Sequence, residues 1–200
     1  MSSCGCNANQ HENKQKVENS SSKVVNIDFL FLDLSVCTRC QGTEGSLDDA
    51  LENTAELLKN IGYEVKVNKI HIQTEAQAKQ EYFESSPTIR VNGLDIQMEV
   101  KESHCSTCSS LTDGASVDCR LWLYKGKEYS TPPKEMIIDA VMSSIYGNKR
   151  VNDTVSVKGK EDFVLPDNLV EYFAKKDKLC AAVNKSPAQD DCGCEESNCC

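Results

Sequence analysis

The stretch that decides the fold is Val24 to Val36, VVNIDFLFLDLSV, which runs directly into Cys37-Thr38-Arg39-Cys40. Its nearly continuous apolar and β-prone residues predict a central strand covered on both faces. Beyond Gly42 and Gly45, apolar residues recur with helical spacing at Leu47, Leu51, Leu58 and Ile61. Gly62 then predicts the end of the helix. The two cysteines therefore lie at a strand-to-helix junction.

This junction suits thiol chemistry. A cysteine reacts as a thiolate, and the exposed N–H groups and dipole at a helix N-terminus lower its pKa. Cys37 is placed for attack, and Cys40, one turn further along, can close a small disulfide with it. Arg39 lies between the two cysteines in the sequence and either favours the thiolate of Cys37 or is a solvated surface arginine. Asp33, or alternatively Asp28, is either a proton acceptor for Cys40 or the acceptor of a structural hydrogen bond.

The rest of the central region alternates strands with helices. The pattern predicts strands over 63–72, 88–91, 94–100, 119–124 and 128–129, and helices over 74–85 and from Pro132-Pro133 to Gly147. Asn92-Gly93 is typical of a hairpin turn. Residues 102–118 are polar and predict a loop inserted into the hairpin.

With this order of elements, Cys37, Cys40 and the segment Ser85-Ser86-Pro87-Thr88, residues 24–147 resemble the thioredoxin-like superfamily. The resemblance implies an α/β fold with a central mixed sheet flanked by helices. It also implies that Cys37 is the nucleophile and Cys40 the resolving cysteine. It matches Pro87 to a cis-proline whose loop docks partner backbones, with Ser86 just before it. The chain is similar to a branch with a second dithiol, Cys105 and Cys108, in the C-terminal hairpin, which implies an association with arsenic resistance.

Ten of the twelve cysteines fall in close pairs, which make poor long-range cross-links and good chelates or redox couples. Cys105 and Cys108 are either a second redox pair, with His104 adjusting their thiolate balance, or a disulfide or zinc clip for the loop. Together with Cys119 they suit a soft centre such as trivalent arsenic, mercury or zinc. The metal candidates also include the tail cysteines Cys192, Cys194, Cys199 and Cys200.

Composition sets the organisation and the compartment. We expect a disordered arm over 1–23, the domain over 24–147, an added segment with a short helix over 148–184 and a cysteine-rich tail over 185–200, both termini lacking a core-forming pattern. A net charge of −9 argues against nucleic-acid binding. The absence of an export signal or a long apolar run indicates a cytoplasmic protein with no membrane partner.

The first functional hypothesis is a thiol–disulfide oxidoreductase that uses Cys37 and Cys40 and relays to Cys105 and Cys108. It needs no cofactor, and its partner is a disulfide- or dithiol-bearing protein or a reductase. The alternative is a thiol-rich chaperone or scavenger that binds a soft metal or arsenite. A third hypothesis is an adaptor stabilised by zinc, although the wide separation of the two CxxC pairs is unlike a typical zinc ribbon.

Overall fold

The computed structural model describes residues 23–110, 117–147 and 163–183. In chain order the elements are β1 (Lys23–Phe31), α1 (Thr38–Asn60), β2 (Tyr63–His71), α2 (Glu75–Gln80), β3 (Thr88–Val91), β4 (Leu94–Asp95), β5 (Lys101–His104), α3 (Ser106–Ser110), β6 (Asp118–Tyr124), β7 (Lys127–Tyr129), α4 (Lys134–Tyr146) and α5 (Asp167–Val183). One sheet has the strand order β2-β1-β3-β4, and a second has the order β5-β6-β7.

β1 is the central strand, as its sequence predicts. It pairs in parallel with β2 and antiparallel with β3, so that Phe29 lies between Lys69 and Ile89. Its first half alternates between exposed and buried residues, whereas Phe29, Leu30 and Phe31 are all buried. Only the half nearest Cys37 is therefore covered on both faces.

α1 begins at Thr38 and runs through both glycines that precede its apolar stripe. At Gly42 the helix closely approaches the chain ahead of α4, because a Cβ there would lie 2.7 Å from Thr131 Oγ1. α1 and α4 pack against each other. α4 starts directly after Pro133, its N-cap, and ends at Gly147, as predicted.

The hairpin differs from its prediction. The strand predicted over 94–100 is reduced to the two residues of β4. Residues 102–118, predicted to be a loop, include most of β5 and all of α3. The reason is pairing with a partner strand, since β5 and β6 form an antiparallel ladder from Lys101–Leu121 to His104–Asp118. Residues 111–116 lie outside the described part of the chain.

The observed architecture is an α/β fold with a mixed sheet flanked by helices, which confirms the predicted fold class. The strand order β2-β1-β3-β4 is compatible with the thioredoxin-like arrangement that the resemblance implies. The predictions for residues 1–22, 148–162 and 184–200, including disorder and the terminal cysteines, fall outside the described residues. Among the helices that are described, none has the length and apolar character of a bilayer span.

Candidate functional site

A turn at the end of β1 delivers Cys37 to the start of α1. Asp33 Oδ1 accepts hydrogen bonds from the backbone N–H of Ser35 at 2.7 Å and of Val36 at 2.9 Å. Asp28 likewise accepts from the Asn68 side chain at 2.8 Å. Of the two predicted roles, both carboxylates therefore have the structural one.

Cys37 is the N-cap residue of α1. Its Sγ accepts a hydrogen bond from the backbone N–H of Cys40 at 3.4 Å, and its side chain is fully buried. The predicted placement at a strand-to-helix junction is correct. A sulfur in this position faces the positive end of a 23-residue helix, which stabilises a thiolate.

The second CxxC is held by a short helix. Cys105 directly precedes α3 and donates its backbone N–H to Val117 O at 2.8 Å, while its own carbonyl accepts from the N–H and the hydroxyl of Ser109. Cys108 lies within α3, and Cys119 lies on β6, opposite Ser103 of β5. One folded hairpin therefore presents three thiols.

The structure describes the side chains of five cysteines, and four of these converge. The sulfurs of Cys37, Cys105, Cys108 and Cys119 all lie within 4.8 Å of one another, and all four residues are buried. Cys119 Sγ donates to Cys108 Sγ at 3.4 Å, and Cys108 Sγ donates to Cys37 Sγ at 3.4 Å. A tetrahedral zinc tetrathiolate has Zn–S bonds of about 2.3 Å, which place its sulfurs about 3.8 Å apart. The group thus has the ligand type, number and spacing of a closed tetrathiolate site.

Cys40 is the described cysteine that lies outside this group. Its Sγ is 3.4 Å from Ser86 Oγ, and the residue is fully buried. Ser86 Oγ also accepts from the backbone N–H of Leu32 at 3.2 Å, which fixes the hydroxyl beside the sulfur.

The five thiols differ in acidity because they share hydrogen bonds. Bonds from Cys105, Cys108 and Cys119 lower the pKa of Cys37 far below that of an ordinary thiol. Bonds from Cys108 and Cys119 lower the pKa of Cys105 to about 5. Bonding to these thiolates and burial raise the pKa values of Cys40, Cys108 and Cys119. Cys37 and Cys105 are therefore the more acidic sulfurs of one coupled group, in which Cys40, Cys108 and Cys119 hold their protons more tightly.

Arg39 fastens the hairpin to α1. Its guanidinium donates to Cys119 O at 2.9 Å, to His104 O at 3.0 Å, and to both Ser103 O at 3.3 Å and Ser103 Oγ at 2.9 Å. These acceptors lie on β5 and β6, the two strands of the hairpin. The structure thus gives Arg39 a positioning role that its sequence position does not predict.

The segment around Pro87 is also covered by the hairpin. The Ser86–Pro87 peptide bond is cis and both residues are buried. The carbonyl of Ser86, in the loop that the resemblance implies for the docking of partner backbones, accepts from the backbone N–H of Arg120 at 2.8 Å. β6 therefore lies against this loop.

Arg120 anchors β6 from within the core. Its fully buried guanidinium donates to Asp95 Oδ1 at 2.7 Å and lies 5.2 Å from the centre of the Trp122 ring. Because an unpaired charge at such depth is costly, this ion pair ties β6 to β4. The position of Cys119, next to Arg120, depends on it.

α5 covers the group from another side. Asn168 on α5 donates to the Glu102 carboxylate of β5 at 3.4 Å. Tyr172 and Phe173 are buried, with ring centres 5.2 Å apart. Burial is the main cause that raises the pKa of Tyr172, and nearby Cys108 adds to it, so this helix lies close to the cysteine group. The segment after residue 147 thus contributes to the closure of the site.

Among the sequence-predicted metal candidates, the structure brings together Cys105, Cys108 and Cys119. It adds Cys37, which the sequence predicts first as a nucleophile and otherwise, with Cys40, as half of a zinc site. The His104 side chain is exposed and is not part of the group of four. The tail candidates Cys192, Cys194, Cys199 and Cys200 lie outside the described residues. The site as a whole is a cluster of neighbouring cysteines, which could serve either redox exchange or metal binding.

Comparison with known proteins gives a family without an assigned activity. No curated protein and no solved structure matches the chain. A family described as a domain of unknown function (DUF2703) matches residues 25–141, a range that includes all five described cysteines. Because this match covers more than half of the sequence, the chain belongs to the DUF2703 family.

Proposed function

We propose that this protein binds a soft metal ion through the thiolates of Cys37, Cys105, Cys108 and Cys119. The observation that carries the proposal is the mutual approach of the four sulfurs to within 4.8 Å in a buried site. Four thiols from two distant parts of a chain are held together here by Arg39, by the Arg120–Asp95 pair and by α5. A site held in this way binds metal without a large loss of conformational freedom.

The donor set favours a thiophilic ion with tetrahedral geometry. Four sulfur ligands are typical of zinc, and cadmium and mercury share the preference for thiolate. Trivalent arsenic takes three thiolates, so arsenite at this site would leave one of the four free. The number of sulfurs around the bound atom therefore distinguishes these ligands.

The test uses the full-length protein, reduced and handled without oxygen, with Zn²⁺ as the probe. Replacing Cys4, Cys6, Cys192, Cys194, Cys199 and Cys200 by serine removes competing terminal thiols and leaves the described part of the chain intact. We expect one tightly bound zinc per chain in this background, with four sulfurs at about 2.3 Å by X-ray absorption spectroscopy. Loss of tight binding, or a shell with fewer than three sulfurs, would refute the proposal.

Single substitutions locate the site. Because structural zinc sites contribute about 10–16 kcal/mol through four ligands, the loss of one thiolate weakens binding by about 100-fold. We expect this for Cys119→Ser and Cys105→Ser. Cys40→Ser is the matched control, because it removes a buried thiol that lies outside the group of four.

A second candidate function is thiol–disulfide exchange by Cys37 and Cys40. The observation that favours it is the pairing of a fully buried thiolate at the α1 N-terminus with a cysteine one turn further along, whose N–H lies 3.4 Å from the first sulfur. Cys108 Sγ, also 3.4 Å from Cys37 Sγ, is close enough for exchange, so the relay partner would be the hairpin of the same chain.

This candidate has its own test. A reduced protein that acts as an oxidoreductase reduces insulin disulfides with turnover in the presence of a dithiol, and Cys37→Ser abolishes the turnover. Pro87 and Ser86 would orient the partner backbone, so the activity also requires the hairpin to leave Ser86 O. Turnover that survives Cys37→Ser would rule out this function.

A further inference from the structure

Cys37 takes part in two thiol pairings that exclude each other. In the group of four it lies 3.4 Å from Cys108 Sγ. Through α1 it also pairs with Cys40, whose backbone N–H lies 3.4 Å from Cys37 Sγ and whose thiol lies 3.4 Å from Ser86 Oγ. A sulfur bound to Cys40 in a disulfide is no longer a thiolate and cannot remain a metal ligand.

We propose that Cys40 is a release thiol, and that oxidation of Cys37 with Cys40 withdraws one of the four ligands and discharges the metal ion. This inference rests on the metal-binding function proposed above and names its regulation. The oxidant class is a small disulfide, RSSR.

The exchange proceeds in two balanced steps. The Cys37 thiolate attacks one sulfur of RSSR, which forms a Cys37–S–S–R bond and releases RS⁻. The Cys40 thiol passes its proton to that RS⁻, and its sulfur attacks Cys37 Sγ, which forms the Cys37–Cys40 disulfide and releases a second RS⁻. The two cysteines are oxidised, RSSR is reduced to two thiols, and the metal is left with Cys105, Cys108 and Cys119.

Three features single out Cys40 for this role. It is adjacent to a ligand without being one, so it remains available while the metal is bound. It lies on a 23-residue helix together with its partner, so the disulfide can close without unfolding the hairpin. Its thiol is held by Ser86 Oγ at 3.4 Å, whereas Cys37 is the N-cap sulfur at the positive end of the helix and therefore the one that attacks first.

The structure also predicts what limits the rate. Cys37 is fully buried beneath the hairpin, so RSSR reaches it only when the hairpin lifts. The Arg39 hydrogen bonds to Ser103, His104 and Cys119 oppose that movement. Arg39→Lys, which cannot reproduce the fork of donors, is therefore expected to accelerate release.

The experiment uses the zinc-loaded full-length protein in which the six terminal cysteines are serine. Oxidised glutathione is added without oxygen, and released zinc is followed with a chromogenic chelator. We expect Cys40→Ser to bind zinc as before and to release it at about one tenth of the rate or below. Without the intramolecular second step, the mixed disulfide at Cys37 stays open to attack by the released RS⁻, which restores the metal ligand. In the protein that has Cys40 and the six terminal serines, peptide mapping should show Cys37–Cys40 as the first disulfide to form.

The outcomes separate the two proposals. A protein that never takes up zinc refutes the metal-binding function. A protein that binds zinc but releases it equally fast after Cys40→Ser, or that first forms a Cys105–Cys108 disulfide, refutes the release role alone. If Cys40→Ser does not fold, the order of disulfide formation in the protein that keeps Cys40 decides whether Cys40 is the release thiol.

Discussion

The sulfur of Cys108 lies 3.4 Å from the sulfur of Cys37, although 71 positions separate the two residues in the chain. This contact joins a thiolate at the start of α1 to a hairpin that carries three further thiols. It brings one cysteine of the first CxxC motif together with both cysteines of the second and with Cys119. It also contributes to the lowered pKa of Cys37, for which the bond from Cys105 is the largest cause and the bond from Cys108 the next.

The first prediction concerns the protons released when the metal binds. The pKa values of Cys37 and Cys105 are lowered, whereas those of Cys108 and Cys119 are raised, so we expect only the first two to be thiolates at neutral pH. Zinc binding at about pH 7 should therefore release about two protons per chain, and not the roughly four expected from ordinary thiols. Calorimetric titration in buffers of different ionisation enthalpy measures this number. A value near four would contradict the assigned protonation states.

The sequence predicts a good part of this arrangement. The cis peptide bond before Pro87 is implied only by the resemblance to the thioredoxin-like superfamily. The apolar run before Cys37 predicts the central strand, and the two prolines predict the start of α4. Each of these is a local signal, because the side chains that specify the structure lie within a few residues of it.

The sequence does not predict which sulfurs meet. The two CxxC motifs are too far apart for a zinc ribbon, and only the ladder between β5 and β6 brings Cys119 and Cys108 over the start of α1. Tertiary structure likewise keeps Cys40 out of the group. It also forms the hydrogen bonds from Arg39 to carbonyls of the hairpin. A residue pattern with a period of two or 3.6 carries no information about them.

The second prediction concerns Arg39. Arg39→Lys keeps the charge but loses the fork that reaches Cys119 O, His104 O and Ser103. Groups that orient metal ligands from outside typically change affinity by about 10–100-fold, so we expect zinc affinity to fall by about tenfold in competition with a chelator. Arg90→Lys is the matched control, because its guanidinium donates to Tyr82 O, away from the cysteines. An equal loss in both variants would contradict the positioning role.

The third prediction concerns the buried ion pair that holds β6. Asp95→Asn leaves the fully buried Arg120 guanidinium without its counter-charge. Breaking such a pair from one side costs about 3–5 kcal/mol, and denaturant unfolding of the metal-free protein should show a loss of this size. Glu128→Gln is the control, because its pair with Lys101 is exposed and contributes at most about 1 kcal/mol. Similar small losses of unfolding free energy in both variants would show that the charge of Asp95 does not stabilise the buried Arg120.

The last prediction is the pH dependence of stability in the reduced, metal-free protein. The pKa of Cys105 is about 5 in the folded protein against an ordinary value of 9.0, so between these values the unfolded chain binds the extra proton. Stability therefore rises with pH across this window, and the contribution is lost as pH falls towards 5. Above about pH 9 the sign reverses, because Cys40, Cys108 and Cys119 keep protons that the unfolded chain releases. Urea unfolding at several pH values, without oxygen and with a chelator, measures the profile. Cys37, whose pKa is lowered further, contributes to the same rising limb, so Cys105→Ser should make this limb shallower without removing it. A limb of unchanged slope in that variant would show that Cys105 does not contribute to it.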